Sequence, residues 1–172
     1  MNTSRLVLLA VALMFNGAAL AQQAAQPARP AAPAAPAKQA PALTPAQQAQ
    51  IAKQDAEMSK AAAQVVQLVD QNKTGEVWDG ASAVAKAIVT KQAFVQQIAA
   101  DRKTLGAPAE RKQIGVSRTY HEANNPQGLP VGLYVTVAYA TKFANAPQPV
   151  REIVSFHADD DKTWRVSGYS LR

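Results

Sequence analysis

The chain has 172 residues, 48% of them hydrophobic, with no cysteine and a formal net charge of +6. That length suits one domain, and the missing cysteine excludes disulfide staples, thiolate metal sites and thiol or redox catalysis. From Thr44 onward there are 15 basic and 12 acidic residues, a balance (15 minus 12) of +3 that is no signature of a nucleic-acid partner.

Met1 to Ala21 reads as a secretory signal peptide. Arg5 marks a short n-region, Leu6 to Phe15 is apolar, and Ala19 and Ala21 supply the small residues needed at −3 and −1. The apolar run is shorter than the ~20 residues of a spanning helix, so no membrane span is expected after cleavage behind Ala21. With no cysteine to carry a lipid anchor, a periplasmic or secreted chain starting at Gln22 is expected. Gln22 to Leu43 is rich in alanine and carries Pro27, Pro30, Pro33, Pro36 and Pro41. Proline at that spacing opposes helix propagation, so a disordered, semi-rigid linker is expected over 22–43. A single domain is expected over 44–172.

Thr44-Pro45-Ala46-Gln47 is a capping box, with proline at the first helical position. The helix that follows places Ile51, Met58, Ala62, Val65, Val66 and Val69 on one face and runs to about Gln71. A second helix is expected over Glu76–Val89, with Trp78, Ala81, Ala85 and Ile88 as its apolar stripe. Gly80 in its first turn costs about 1 kcal/mol of helix propensity and points to a kink or close contact. Thr90 caps a third helix that reaches about Thr104 and directs Phe94, Ile98 and Leu105 inward, with Gly106 and Pro108 as stop signals.

From Gln113 the hydrophobic period becomes two. Strands are expected over Gln113–Glu122 (Ile114, Val116 and Tyr120 on one face), Leu133–Phe143, Val150–His157 and Thr163–Leu171. Leu133–Phe143 alternates throughout, with Tyr139 and Thr141 as polar interruptions of its apolar face. Short connections between consecutive strands imply an antiparallel meander. The fold class read from this order is α+β: three N-terminal helices packed on a curved four-stranded antiparallel meander.

Trp78-Asp79-Gly80-Ala81-Ser82, Asp101-Arg102 before Leu105-Gly106, Arg118, and Trp164-Arg165-Val166-Ser167-Gly168-Tyr169 occur in a distinctive order. In that order, over roughly Met58 to Arg172, the chain resembles family 4019 of the bacterial domains of unknown function. Phe94 fills the place where that family usually has an aromatic. The resemblance implies an exported or membrane-attached protein and brings no catalytic residues with it. By element order the domain also resembles a reduced nuclear-transport-factor-2-like or cystatin-like cone, a likeness of fold that implies little about function.

The residue chemistry is sparse. His121, His157 and the run Asp159–Asp161 match neither a zinc nor a calcium template, so no metal is expected, and no cofactor. No Gly-x-Ser-x-Gly elbow or phosphate loop is present. For acid–base chemistry the candidates are Asp79, Glu152, Tyr139 and Tyr169. A carboxyl desolvated under the sheet can act as base beside a tyrosine donor. The competing reading makes Asp79 a helix-dipole residue and Glu152 the cross-strand partner of Arg118. Ligand-binding candidates are Trp78, Tyr139 and Thr141, although Trp78, Trp164 and Tyr169 also suit a core. The expectation is a non-catalytic binding or interaction module taking a protein or a small apolar ligand, with a small-pocket cone-fold enzyme as the alternative.

Overall fold

The computed structural model of the chain describes residues 43–126 and 128–172. The expected signal peptide, and the expected linker apart from Leu43, lie outside the described residues. Within them, helices α1 (Pro45–Asp70), α2 (Thr74–Asp79), α3 (Ala83–Ile88) and α4 (Lys91–Leu105) precede strands β1 (Pro108–His121), β2 (Gly132–Phe143), β3 (Val150–Ala158) and β4 (Trp164–Leu171). The strands form one open antiparallel sheet in the order β1-β2-β3-β4. The expected α+β class and the meander are therefore present. No described helix is long and apolar enough to cross a membrane.

The capping box at Thr44 forms in both directions, with Thr44 N–H on Gln47 Oε1 at 2.8 Å and Gln47 N–H on Thr44 Oγ1 at 3.3 Å. Met58, Ala62, Val65, Val66 and Val69 of α1 are buried against Val135, Val137 and Tyr139 of β2 and Val154 and Phe156 of β3. Val135, Val137 and Val154 have no exposed surface, and full burial of a valine side chain contributes roughly 1.5–3 kcal/mol. Val77 and Ile98 bring α2 and α4 into the same core.

The second expected helix is divided. Gly80 caps the end of α2, and Ser82 starts α3 by accepting the Val84 N–H through Oγ at 3.1 Å. The break is held from outside, because Ser82 N–H donates to Val166 O of β4 at 2.9 Å and Ser82 Oγ donates to Asp159 at 2.7 Å. Four helices therefore stand where three are expected, and Ile88, expected in the apolar stripe, is 62% exposed.

The first strand begins at Pro108 rather than Gln113 and carries a β-bulge between Gln113 and Gly115. Arg111 and Gln113 lie opposite Thr141 and Tyr139, whereas Val116 and Arg118 lie opposite Val137 and Val135. Because side chains alternate across a strand, the extra residue lets odd positions before the bulge and even positions after it face the helices. Ile114 is the residue spent on that shift and is 54% exposed, and Tyr120 is 62% exposed, against the expectation of an inward Ile114–Val116–Tyr120 face. The β1–β2 register also shifts between Pro108 and Glu110, and another irregularity lies where β4 pairs with Ser155 and Phe156. There Val166 opposes Phe156 and Gly168 opposes Ser155, so Ser167 is the inserted residue. Trp164, Val166 and Tyr169 all pack on the core as a result.

Candidate functional site

The bulges at Ile114 and Ser167 converge on Glu152 of β3, whose side chain is fully buried. Arg111 donates Nε to Glu152 Oε2 at 2.6 Å and Nη2 to Oε1 at 3.3 Å. Thr141 Oγ1 donates to Oε2 at 2.6 Å, and Tyr169 Oη donates to Oε1 at 2.6 Å. The other edge of the Arg111 guanidinium meets Asp70, at the end of α1, with Nη1 to Oδ2 at 2.9 Å and Nη2 to Oδ1 at 3.1 Å. Arg102 of α4 closes the set, donating Nη2 to Asp70 Oδ1 at 2.7 Å while its guanidinium lies 4.9 Å from the centre of the Phe143 ring. Two carboxylates and two guanidiniums thus alternate in charge from α4 through α1 and β1 to β3.

This chemistry is that of an anchor. A carboxylate has about four lone-pair sites, and donors from Arg111, Thr141 and Tyr169 occupy those of Glu152. No acceptor is left to take a substrate proton. Burial first, and then the Glu152 charge and hydrogen bond, hold the Tyr169 hydroxyl protonated far above the ordinary phenol range. Burial opposes the charge on Arg111, but the hydrogen bonds and charges of Asp70 and Glu152 outweigh it and keep the guanidinium protonated. Tyr139, opposite Glu152 in the β2–β3 register, is buried, and its Oη has no protein partner among the described residues. Burial, then the Glu152 charge, raises its pKa as well.

Tyr169 is shared between this network and a neighbouring cavity of about 190 Å³. Trp78, Ala81, Ala85, Val89, Phe94 and Val166 supply nearly all the rest of its wall. Trp78 is fixed there by its indole N–H, which donates to Val89 O at 3.3 Å. Ser167 also lines the cavity, and its Oγ is buried without a protein partner among the described residues. A larger recess of about 500 Å³ lies between the exposed first turns of α1 and the sheet. Leu43, Ile51 and Leu133 give it apolar wall, with Gln47, Gln50, Lys53, Gln54, Glu57 and Arg118 around them.

The acidic run after β3 has a structural role. His157 Nδ1 lies 2.8 Å from Asp159 Oδ1, which also accepts from Ser82 Oγ, and Arg165 Nη1 donates to Oδ2 at 3.1 Å. Burial opposes the Asp159 charge, yet the bonds from Ser82, His157, Arg165 and Ala83 N–H lower its pKa overall. Serine and histidine bind the same carboxylate and not each other, so no nucleophile–base pair forms. The Tyr134 ring sits between His121 and His157, with centroids 5.0 and 4.8 Å away.

Of the residues expected to carry chemistry, Glu152, Tyr169, Tyr139 and Thr141 meet under the sheet, and Trp78 lines the cavity beside them. Asp79 does not join them: it is exposed at the surface and bonds Lys91 Nζ through both oxygens at 2.7 Å. Arg118 is not the partner of Glu152: it lies opposite Val135, whereas Glu152 lies across from Tyr139, whose β1 partner is Gln113. Arg118 instead forms an ion pair with Asp55, Nη1 to Oδ1 at 2.7 Å, and donates Nε to Gln54 Oε1 at 2.9 Å, both on α1. Sequence reasoning overlooked Arg111, Arg102 and Asp70. The signal available for Arg111 was Gly115, since an isolated glycine inside a strand pattern marks a bulge.

No curated protein and no solved structure matches the chain. A family model described as "Protein of unknown function (DUF4019)" matches residues 61–169, the span from the buried face of α1 to Tyr169 itself, and the chain belongs to that family.

Proposed function

We propose that the chain is an exported, non-catalytic binding module, delivered by the signal-like segment Met1–Ala21 and carried on the Ala/Pro-rich linker 22–43. The folded part works as a reduced nuclear-transport-factor-2-like or cystatin-like cone, in which helices and sheet enclose a small hollow. One observation carries the binding reading: an apolar cavity of about 190 Å³ beside a carboxylate whose acceptor sites are all occupied. An apolar cavity of about 150 Å³ admits benzene, so this hollow suits one aromatic ring or one bulky aliphatic group. The Glu152 network fixes Tyr169, and with it the wall, without offering a group for proton transfer.

Mass spectrometry of small molecules co-purifying with the full chain, recovered from the exported fraction, tests this reading. A reproducible apolar ligand that is lost in Ala85→Leu, which fills the cavity, is the expected result. Repeated recovery of empty protein that also fails to take up toluene contradicts it.

A further inference from the structure

The second half of β4 is an open sheet edge, and it lies between two recesses. In an antiparallel pair, residues that exchange hydrogen bonds with the neighbour alternate with residues whose N–H and C=O point away from it. Arg172 and Arg151 exchange both bonds, at 2.8 and 2.9 Å. By that alternation Ser170 and Gly168 also bond to β3, while Tyr169 and Leu171 turn their backbone groups to the free edge. The first half of β4 is covered there, because Ser82 N–H occupies Val166 O. No such bond from a helix or loop reaches Tyr169 or Leu171 among the described residues.

Natural sheets guard their edges with charge, proline and bulges. The opposite edge strand, β1, has Pro108 and the charged residues Glu110, Arg111, Lys112 and Arg118. Ser167-Gly168-Tyr169-Ser170-Leu171 has neither a charge nor a proline, and its bulge at Ser167 lies before the exposed backbone of Tyr169 and Leu171. On the helix side of this segment is the cavity of Trp78, Phe94 and Val166. On the other side is a recess of about 300 Å³ whose wall includes Thr136, Ser155, Ser170 and Arg172. Side chains of an added strand point alternately to the two faces, so successive residues would meet an apolar hollow and then a hydroxyl-lined one.

We infer that the partner of this module is an extended polypeptide segment that adds a strand to β4. It pairs with Tyr169 and Leu171 and places one apolar side chain in the Trp78–Phe94–Tyr169 cavity. Its flanking residues are small, polar or acidic and face Thr136, Ser155 and Arg172. This rests on the binding reading above and names its ligand class. Main-chain hydrogen bonds supply affinity in this mode, and the alternating pockets supply selectivity.

The test uses the full chain, an array of heptapeptides Thr-X-Thr-X-Thr-X-Thr with X as Val, Leu, Phe or Tyr, and toluene as a small probe. At least one peptide is expected to bind, slowing hydrogen exchange at the Tyr169 and Leu171 amides. N-methylation of that peptide at alternate amides is expected to weaken it by about tenfold or more, the loss of one to two net hydrogen bonds. Toluene uptake in the cavity without binding of any peptide, or peptide binding indifferent to N-methylation in either phase, overturns the strand-addition inference and leaves the cavity reading standing. Failure of toluene and peptides alike overturns both.

Discussion

Glu152 decides how the interior of this domain is read. A buried carboxylate alone suggests a base, but one held by Arg111, Thr141 and Tyr169 is a fastening between β3, β1, β2 and β4. Without Glu152, the hydroxyls of Thr141 and Tyr169 and the inner edge of Arg111, which keeps only Asp70, lose their acceptor, a loss of about 3–5 kcal/mol taken together. Glu152→Ala is expected to lose stability in that range by urea unfolding, and stability close to wild type would mean the network is dispensable. Tyr169 carries a pH signature. Its raised pKa means folding favours the neutral phenol, so the stability it contributes is complete below about pH 10 and falls as pH rises further. Tyr169→Phe is expected to be less stable at neutral pH and to show a shallower alkaline decline between pH 8 and 12. Asp159 acts with the opposite sign. Its lowered pKa gives stability that is present above about pH 4 and is lost as pH falls below that, and Asp159→Asn is expected to flatten that acid limb.

Among the elements, the bulges matter most, because each converts a strand of ordinary alternation into one that faces inward on both parities. In β1 the shift brings Arg111 to Glu152, and in β4 it brings Tyr169 there. Deleting Ile114 is expected to turn Arg111 and Gln113 to the outer face and to cost as much as Glu152→Ala. Ile114→Thr, an exposed substitution, should stay within about 0.5 kcal/mol of wild type. Gly115 marks the bulge without being required by it: a Cβ there meets nothing, so Gly115→Ala is expected to be tolerated. At Gly132 the reverse holds, since φ is +152° and a Cβ would collide with His157 Nε2. The helix caps at Thr44 and Thr90, the buried stripe of α1 and the meander order were legible because each is a local pattern repeated at a fixed period. The bulges were not, since one inserted residue leaves composition unchanged and only the partner strand reveals the register. The break at Ser82 was hidden for a related reason, as its holding partners Val166 and Asp159 are distant in sequence. Glu152 and Tyr169 were legible as polar residues bound for the interior, whereas Arg111 reads as surface until the register is known.

At the scale of the whole molecule, the helices cover one face of an open sheet, and the cavity lies near the end of that layer where α2, α3 and α4 approach β4. Balanced charges in the interior and a nearly apolar hollow beside them are the features on which the proposed binding role rests. The proposed export implies that the mature chain begins at Gln22, and the intact mass of protein recovered outside the cytoplasm is expected to show that terminus. Retention of Met1 in that fraction would remove the export reading and leave the cavity reading intact. The most direct measurement of the central claim is a toluene titration of the full chain followed by amide resonances. Saturable shifts are predicted at Ala85, Val89, Phe94 and Val166 to Tyr169, and they are predicted to vanish in a folded Ala85→Leu variant. Shifts absent from these residues, or centred instead on the groove around Ile51 and Arg118, would contradict the account.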